Sequence, residues 1–432
     1  MSEEKNNFPL VSKVRLKERD ADGEFGPFIV NNNSHSCIKK IIEAFENSKE
    51  VKLGYATIQK DKGLIEPTMK RKTLYLAGES VRDHLKNKHF TTYDLVTDAS
   101  PDEIKKILGG SDTGLEECKP HTSDLEILQK YKKLPELQDN CFYASRWDNS
   151  GHEIEVTAKC KGMTIYISPF GMHSKNRMTN AKKAYFATNI EQDASTRDLT
   201  INALYIKLKD SDGENGELLD PRGGMHDLKA GVVRLIEKPN KAYENNPYLP
   251  LLLCNICSRF TDDGKIPENI LKNFPEIKGL DPHVVRRIFV TAIENYDVPL
   301  NKYFDNIKES RLDKTIFPNL KFANLCNERV CHVLPHNKLV VLAYILLDND
   351  PYGVKNVLVS QGYQKNDIDN VVFLIRMGRM IKNDIKNPHI ISDLFSRPVS
   401  IPKSKVKDFL EVMGTPKAFR ELIDQKFNYY DL

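Results

Sequence analysis

No apolar run in this sequence is long enough to cross a bilayer, which takes about 20 residues of helix. The greasiest stretch, Tyr248 to Ile256, falls far short of that. The opening segment MSEEKNNFPL also lacks the hydrophobic core of a secretory signal. A cytoplasmic protein with no membrane partner is therefore expected. Charge of one sign is in small excess only: 64 Lys and Arg against 60 Asp and Glu leave a net +4, with a pI near 8.4. Such a balance permits a nucleic-acid partner without demanding one, because a near-neutral total can hide a basic face. Cysteine is sparse, with eight residues in a long chain that looks unsecreted, and disulfides are not expected. Cys254 and Cys257 form a C-x-x-C that Cys326, Cys331 and His332 could complete as a zinc site. Against that, the pair sits inside LPLLLCNICSRF, a helix-like apolar run in which residues three apart share a buried face. Packing cysteines are the expected reading.

What is present suits two to four soluble domains: 40% of residues are hydrophobic and 29% charged. Residues 1–70 read as an amino-terminal elaboration. Ser34 or Ser36 can cap a helix through Ile38, Ile41, Ile42 and Phe45, and Val51 to Ile58 alternates like a strand before a Lys62-Gly63 turn. A mixed region follows over 71–236. Its expected strands are Tyr75–Ala77, Tyr93–Val96, Glu153–Val156, Met163–Ile167 and Leu204–Leu208, and its expected helix is Pro101–Leu108, started by Ser100. A polar insertion, 109–140, separates two of these strands. From 237 to 432 the apolar spacing turns helical, as at Val284–Ile293, Leu339–Leu347 and Val371–Met380.

The stretch from Leu76 to Pro101 carries most of the functional information. Its order is strand, Gly78, a helix through Val81, Arg82, Asp83 and Leu85, then a strand containing Asp94. A glycine there lets backbone approach phosphates, and the helix start offers free N–H groups to an anion. A carboxylate on the neighbouring strand can hold Mg2+ against the same phosphates.

The residues go further. Gly78, Val81, Arg82 and Asp83, then Asp94, Leu95, Thr97, Asp98 and Ala99 resemble the head domain of class II tRNA nucleotidyltransferases and bacterial poly(A) polymerases. That family has Gly-Gly-x-Val-Arg-Asp followed by Asp-x-Asp-(Leu/Ile)-x-Thr-(Asp/Asn)-Ala. Arg197, Asp198, Thr200, Ile201, Asn202 and Ala203 are similar to its Arg-Arg-Asp-Phe-Thr-Ile-Asn-Ala. Asp220 to Lys229, followed by Val232, Val233 and Arg234, resembles its Asp-Pro-x-Gly-Gly-x-x-Asp-Leu turn and helix. Ser310 to Leu320 is similar to a phrase of its helical body ending Phe-Pro-Glu-Leu. The resemblance implies an α+β fold: a polymerase-β-like mixed-sheet head followed by an all-α neck, body and tail.

It also implies transfer of a nucleoside monophosphate from a triphosphate to an RNA 3′ end, tRNA foremost, with Mg2+ as cofactor. Asp94 and Glu155 would be the metal-holding catalytic pair, Glu155 being favoured over Glu153, which alternates with it on one strand face, by its place in Ile-Glu-Val-Thr. Gly78, Ser80, Arg82, Asp83, Thr97, Arg197, Asp198 and Asn202 would bind the nucleotide. Lys175, Arg177, Lys182 and Lys183, on a basic turn-rich loop, and Arg286 and Arg287, at a helix start, are candidates for RNA contact or for plain solvation.

Two positions of the first motif depart from the family, besides Thr196 and Leu199 in the second. Glu79 replaces the second glycine, where it can swing toward a metal or repel phosphates. Thr92 replaces the first aspartate of the metal pair, and a hydroxyl carries no negative charge with which to bridge two ions. The arginines of the family's next helix fall on Leu249, Leu252 and Asn255. Two readings therefore stand: an active CCA-adding or poly(A)-polymerase-like enzyme, and an impaired relative kept as an RNA- or protein-binding module. The amino-terminal elaboration is the segment left for a protein partner.

Overall fold

In a computed structural model of the chain, the described residues are 12–15, 35–48, 72–88, 92–109, 115–117, 141–147, 153–160, 163–171, 187, 189–208, 217–275, 277, 279–322, 334–383, 394 and 401–429. They fall into two compact units, 1–238 and 239–432.

The first unit is built on a nine-stranded mixed sheet in the order β1-β9-β8-β2-β3-β7-β6-β5-β4. Its strands are β1 (Ser12–Arg15), β2 (Leu74–Ala77), β3 (Thr92–Thr97), β4 (Leu115–Glu117), β5 (Cys141–Trp147), β6 (Glu153–Cys160), β7 (Met163–Pro169), β8 (Tyr205–Lys207) and β9 (Glu217–Asp220). The β3–β7 and β4–β5 pairs are parallel and the others antiparallel. Two features lay outside the sequence reading. The amino-terminal segment supplies an edge strand, β1, paired with β9. The insertion contributes β4, paired with β5. The Val51 to Ile58 strand and its turn lie outside the described residues.

Side chains alternate across the sheet and separate two environments. Leu74, Leu76, Leu95, Val156, Ala158, Ile165 and Ile167 are buried on one face. Helix α3 (Pro101–Gly109) packs on that side, using Ile104, Ile107 and Leu108. A reciprocal capping box starts α3: Ser100 Oγ accepts from Glu103 N at 3.3 Å, and Glu103 Oε2 accepts from Ser100 N at 2.8 Å. Helix α1 (His35–Asn47) packs on α3 and buries Ile38, Ile41, Ile42 and Phe45, the spacing that marked it in the sequence. On the opposite face, Ala77, Val96, Tyr205 and Leu219 gather with Ile190 and Ala194 of helix α4 (Ile190–Ser195). Asp94 lies on this second face, because it alternates with Val96.

Short elements close the unit. Helix α2 (Glu79–Leu85) follows Gly78 directly. A 3-10 turn spans Thr200–Asn202, and α5 (Gly224–Lys229) follows β9. Asp220 caps α5, accepting from Gly224 N at 2.7 Å and Met225 N at 3.0 Å. Asp227, on α5, accepts from Thr200 Oγ1 at 2.6 Å and from two nitrogens of Arg234. The third sequence motif is therefore a clamp on the 200–202 turn.

The second unit is helical: α6 (Pro239–Asn245), α7 (Leu249–Phe260), α8 (Glu268–Leu271), α9 (Pro282–Glu294), α10 (Leu300–Glu309), α11 (Asp313–Ile316), α12 (Lys338–Ile345), α13 (Pro351–Ser360), α14 (Lys365–Lys382), α15 (Lys403–Val412) and α16 (Lys417–Tyr429). Phe289, Tyr303, Phe304, Phe317 and Phe322 form an aromatic cluster. The buried Asn306 amide ties the Cys254 and Gly264 carbonyls and the Ile266 N–H together. Cys254 and Cys257 are buried on α7, and burial pushes the Cys254 thiol up to about 12. Cys326, Cys331 and His332 lie outside the described residues. Among the described residues, no helix is long and apolar enough to cross a membrane.

The glycines of the α5 turn give a stability test. A Cβ on Gly224 would lie 2.2 Å from the Thr200 carbonyl oxygen, whereas a Cβ on Gly223 meets nothing within 4 Å. Gly223→Ala should cost only about 1 kcal/mol, from its left-handed φ. Gly224→Ala should cost roughly 1–3 kcal/mol by overpacking against backbone. Urea midpoints of the two variants check the order, and a milder Gly224→Ala would refute the clamp.

Candidate active site

The site assembles around Gly78, where β2 turns into α2. Gly78 has φ +67° and donates its N–H to Leu204 O at 3.3 Å. A Cβ added there would lie 2.9 Å from Arg197 Nη1, 3.5 Å from Asp94 Oδ2 and 4.0 Å from Asn202 O. Glycine is thus required twice, for its backbone angle and for the space its missing side chain leaves to Arg197. The same distances bring Asp94, Arg197 and Asn202 to one point.

Arg197 is almost fully buried. Its Nε and Nη2 each donate to Asp193 Oδ2 at 3.1 Å, and Nη1 donates to Asn202 O at 3.4 Å. The guanidinium also lies over the Tyr205 ring, 5.2 Å from its centre. Burial alone would lower the guanidinium's proton affinity, but Tyr205, Asp193 and Asp94 around it raise it above the usual value. Tyr205 donates its hydroxyl to Asp193 Oδ2 at 2.6 Å. Burial, and then the Asp193 charge, push that phenol well above its ordinary range.

A second chain of contacts runs alongside. Arg82 donates to Asp83 Oδ1 at 2.7 Å and to Asn202 Oδ1 at 2.7 Å. Asn202 Nδ2 donates to Asp198 Oδ1 at 3.0 Å. Asp198 is half-buried and also accepts from Leu199 N. Glu79 is exposed in the first turn of α2, 3.9 Å from Arg82 Nη1. Ser80 is fully buried: its Oγ donates to Thr92 O and accepts from Asp94 N, both at 3.0 Å. It seats the start of α2 on β3.

Not every expected residue joins this cluster. Thr97 pairs in register with Leu74 on the opposite face of the sheet, and its Oγ1 accepts from Ala99 N. Strand alternation turns it away from Asp94, so a nucleotide contact is not carried forward for it. Glu155 is completely buried and accepts from Ser168 Oγ at 3.2 Å, Ser168 being the register partner of Val96. Asp94 is level with Tyr166 and Thr157 instead. Glu155 shares the sheet face of Asp94 but lies two strands away, about 9–10 Å across at 4.7–4.9 Å per strand. Arg286 donates to Gly362 O and lies over the Tyr363 ring, 5.6 Å from its centre, while Arg287 is exposed. Arg286 therefore braces the α13–α14 turn. Lys175, Arg177, Lys182 and Lys183 lie outside the described residues.

Sequence reasoning missed Asp193 and Tyr205. The available signal was spacing: Asp193 precedes Arg197 by four residues, the interval at which an acid and a base meet on a helix.

A family model described as the poly A polymerase head domain matches residues 118–234, which include the 200–202 turn and the α5 clamp. Over those residues the chain is similar to the head domain of poly(A) polymerases. Poly(A) polymerase I of Salmonella typhi is 30% identical over 179 residues, which cover 40% of this chain and 31% of that protein. The chain thus matches about a third of the length of such polymerases. The CCA-adding enzyme of Coxiella burnetii (strain RSA 331 / Henzerling II) is 25% identical over 374 residues, covering 79% of this chain and 86% of that enzyme. A solved structure described as "tRNA-processing enzyme (apo form I)" shares the fold, with a TM-score of 0.55 at 15% identity, covering 92% of this chain and 91% of that one. A head with a mixed sheet and a helical remainder is the architecture common to both.

In this head domain Ser80 predicts a measurable cost. Ser80→Ala leaves the Thr92 carbonyl and the Asp94 N–H without their side-chain partner and should lower stability by about 1–3 kcal/mol. Denaturant titration checks this, and an unchanged midpoint would show that the hydroxyl is dispensable.

Proposed function

We propose that the protein is a template-independent RNA nucleotidyltransferase that joins a nucleoside monophosphate to an RNA 3′ end, that of a tRNA foremost. The observation that carries this reading is the convergence of Asp94, Arg197 and Asn202 on the bare backbone of Gly78. The CCA-adding and poly(A) polymerase relatives support the reaction class. A cytoplasmic location goes with it.

In the reaction the RNA 3′ oxygen bonds to the α-phosphorus, that oxygen loses its proton, and pyrophosphate leaves with the bridging oxygen. Gly78 and the start of α2 offer backbone to the phosphates, and Arg197 offers its Nη1 edge. Asp198 and Asn202 would meet the ribose hydroxyls, with Arg82 holding the Asn202 amide in orientation. Ser80 positions β3 and does not touch the nucleotide. The Asp94 carboxylate and the Thr92 hydroxyl share a face of β3, an all-oxygen donor set that suits one hydrated Mg2+. Bound there, the ion would offset triphosphate charge and favour loss of the 3′ proton. On β3 itself the set carries a single negative charge, and Glu155, on the same sheet face, is the further carboxylate the reading calls on.

That deficit favours a second reading, in which the head binds nucleotide but transfers it slowly or not at all. One experiment separates the two: radiolabelled CTP or ATP, Mg2+ or Mn2+, and a tRNA lacking its 3′ end. Incorporation by the unaltered protein is expected, reduced at least about a hundredfold by Asp94→Asn. Thr92→Asp should raise the rate about tenfold, equivalent to about 1.4 kcal/mol of barrier. Incorporation indifferent to Asp94→Asn would refute the site. No incorporation until Thr92 becomes Asp would establish the second reading.

A further inference from the structure

The excess positive charge of the chain is concentrated in one helical hairpin. Residues 351–382, which hold α13 and α14, carry five cations (Lys355, Lys365, Arg376, Arg379 and Lys382) against two carboxylates (Asp367 and Asp369). That net +3 compares with +4 for all 432 residues. All five cations are exposed. Asp367 is half-buried and paired with Lys338 of α12 at 2.7 Å, which leaves Asp369 as the exposed carboxylate of the hairpin. A face with so little counter-charge attracts polyanions.

Helical spacing puts these charges beside exposed apolar side chains. Helix α13 buries Val354 and Leu358. It presents Tyr352, Lys355 and Val359 to solvent at i, i+3 and i+7, with Tyr352 72% and Val359 57% exposed. These are two of the four large hydrophobic side chains exposed among the described residues. Helix α14 buries Ile368, Val371 and Leu374 and exposes Lys365, Asp369 and Arg376 at i, i+4 and i+11. That stripe is about 16 Å long at 1.5 Å per residue. Lys355 Nζ lies 4.0 Å from Asp369 Oδ1, which sets the two stripes side by side. Arg286, a candidate RNA contact by sequence, is instead committed to the Gly362 carbonyl in the turn between these helices.

We propose that the outer face of the α13–α14 hairpin binds a single-stranded stretch of RNA, with Lys355, Lys365 and Arg376 on its phosphates and Tyr352 stacked on an unpaired base. Cations alone would suit any polyanion, a duplex included. The exposed ring favours a single strand, because base faces are open to stacking only where pairing is absent. This surface rests on the RNA-acceptor reading for its role in the reaction, yet binding to it needs neither nucleotide nor metal.

The test is fluorescence anisotropy of the full chain with a labelled oligoadenylate, beside a duplex RNA hairpin of equal length, over a range of salt and without nucleotide or metal. Lys355→Glu, Lys365→Glu and Arg376→Glu combined should weaken oligoadenylate binding at least about thirtyfold. The same variant should reduce the slope of log Kd against log salt by about 2, at about 0.7 for each of three phosphate contacts. Tyr352→Ala should weaken binding about tenfold and leave the salt slope unchanged. Lys314→Glu, which alters an exposed cation on α11, should stay within about twofold of wild type. Wild-type affinity in the combined variant, or a loss no greater than that of Lys314→Glu, would overturn the proposal. If the combined variant does not fold, Tyr352→Ala decides, and unchanged affinity there overturns it equally. Tighter binding of the duplex also overturns it. So does self-association of the chain that Tyr352→Ala abolishes while RNA binding is unchanged, since the face would then join two copies. RNA binding that shows the expected shifts without any nucleotide incorporation sinks the transferase reading alone. A wild type that binds no RNA sinks both.

Discussion

A buried guanidinium has to be paired, and the pairing of Arg197 with Asp193 sets the geometry of the head-domain site. In a low-dielectric interior an isolated charge is far costlier than the ion pair, so the arginine goes where the carboxylate holds it. Asp193 is itself fixed by the Gly171 N–H and the Tyr205 hydroxyl. The consequence reaches Gly78, whose missing Cβ makes room for Arg197 Nη1. Asp94, beside that nitrogen, then has a fixed cationic neighbour before any metal is considered. Arg82 repeats the pattern, paired with Asp83 and turned by it toward Asn202.

These pairings change what the arginines of the motifs do. A guanidinium that spends its donors on protein carboxylates grips a triphosphate less freely than its sequence position implies. Arg82 works through Asn202, and only one edge of Arg197 faces Gly78. The triphosphate would therefore rely on backbone at Gly78 and on a bound cation more than on free arginines. Glu79, exposed at the same helix start, adds a negative charge where phosphates would lie. With Thr92 in place of an acid, the site has lost charge where a metal needs it and gained charge where phosphate does not. Under the proposed function, both changes would weaken the hold on a metal–triphosphate complex.

The helical unit differs from the resemblance in a similar direction. On α7 the positions where the resemblance implies arginines are Leu249, which is fully buried, and Leu252 and Asn255, which are half-buried. The helix is given over to packing, with Cys254 and Cys257 among its buried residues. Arg286 on α9 is committed to the Gly362 carbonyl and the Tyr363 ring. Burial at these positions favours stability of the unit over the presentation of cationic side chains there.

Much of this was legible in the residues. The helix through Ile38 and Phe45, the capping box at Ser100 and Glu103, the Gly78 turn and the strand bearing Asp94 all follow from local spacing and backbone chemistry, which act within a few residues. Such signals survive in a single sequence because their partners are close along the chain. Partners distant in sequence left no comparable mark. The β1–β9 pairing joins residues about 200 positions apart, a separation that local propensity does not encode. Thr97 and Glu155 matched motif positions, yet strand alternation and register put one on the far face and the other two strands from Asp94. Asp193 matched none of the quoted motif positions and became the anchor of Arg197, because burial and hydrogen-bond supply are properties of the assembled sheet. The sequence by itself determined the elements, their order and the residue types available for chemistry. Only the tertiary structure decided which of those side chains meet, since that depends on register and on which charges are sealed from water together.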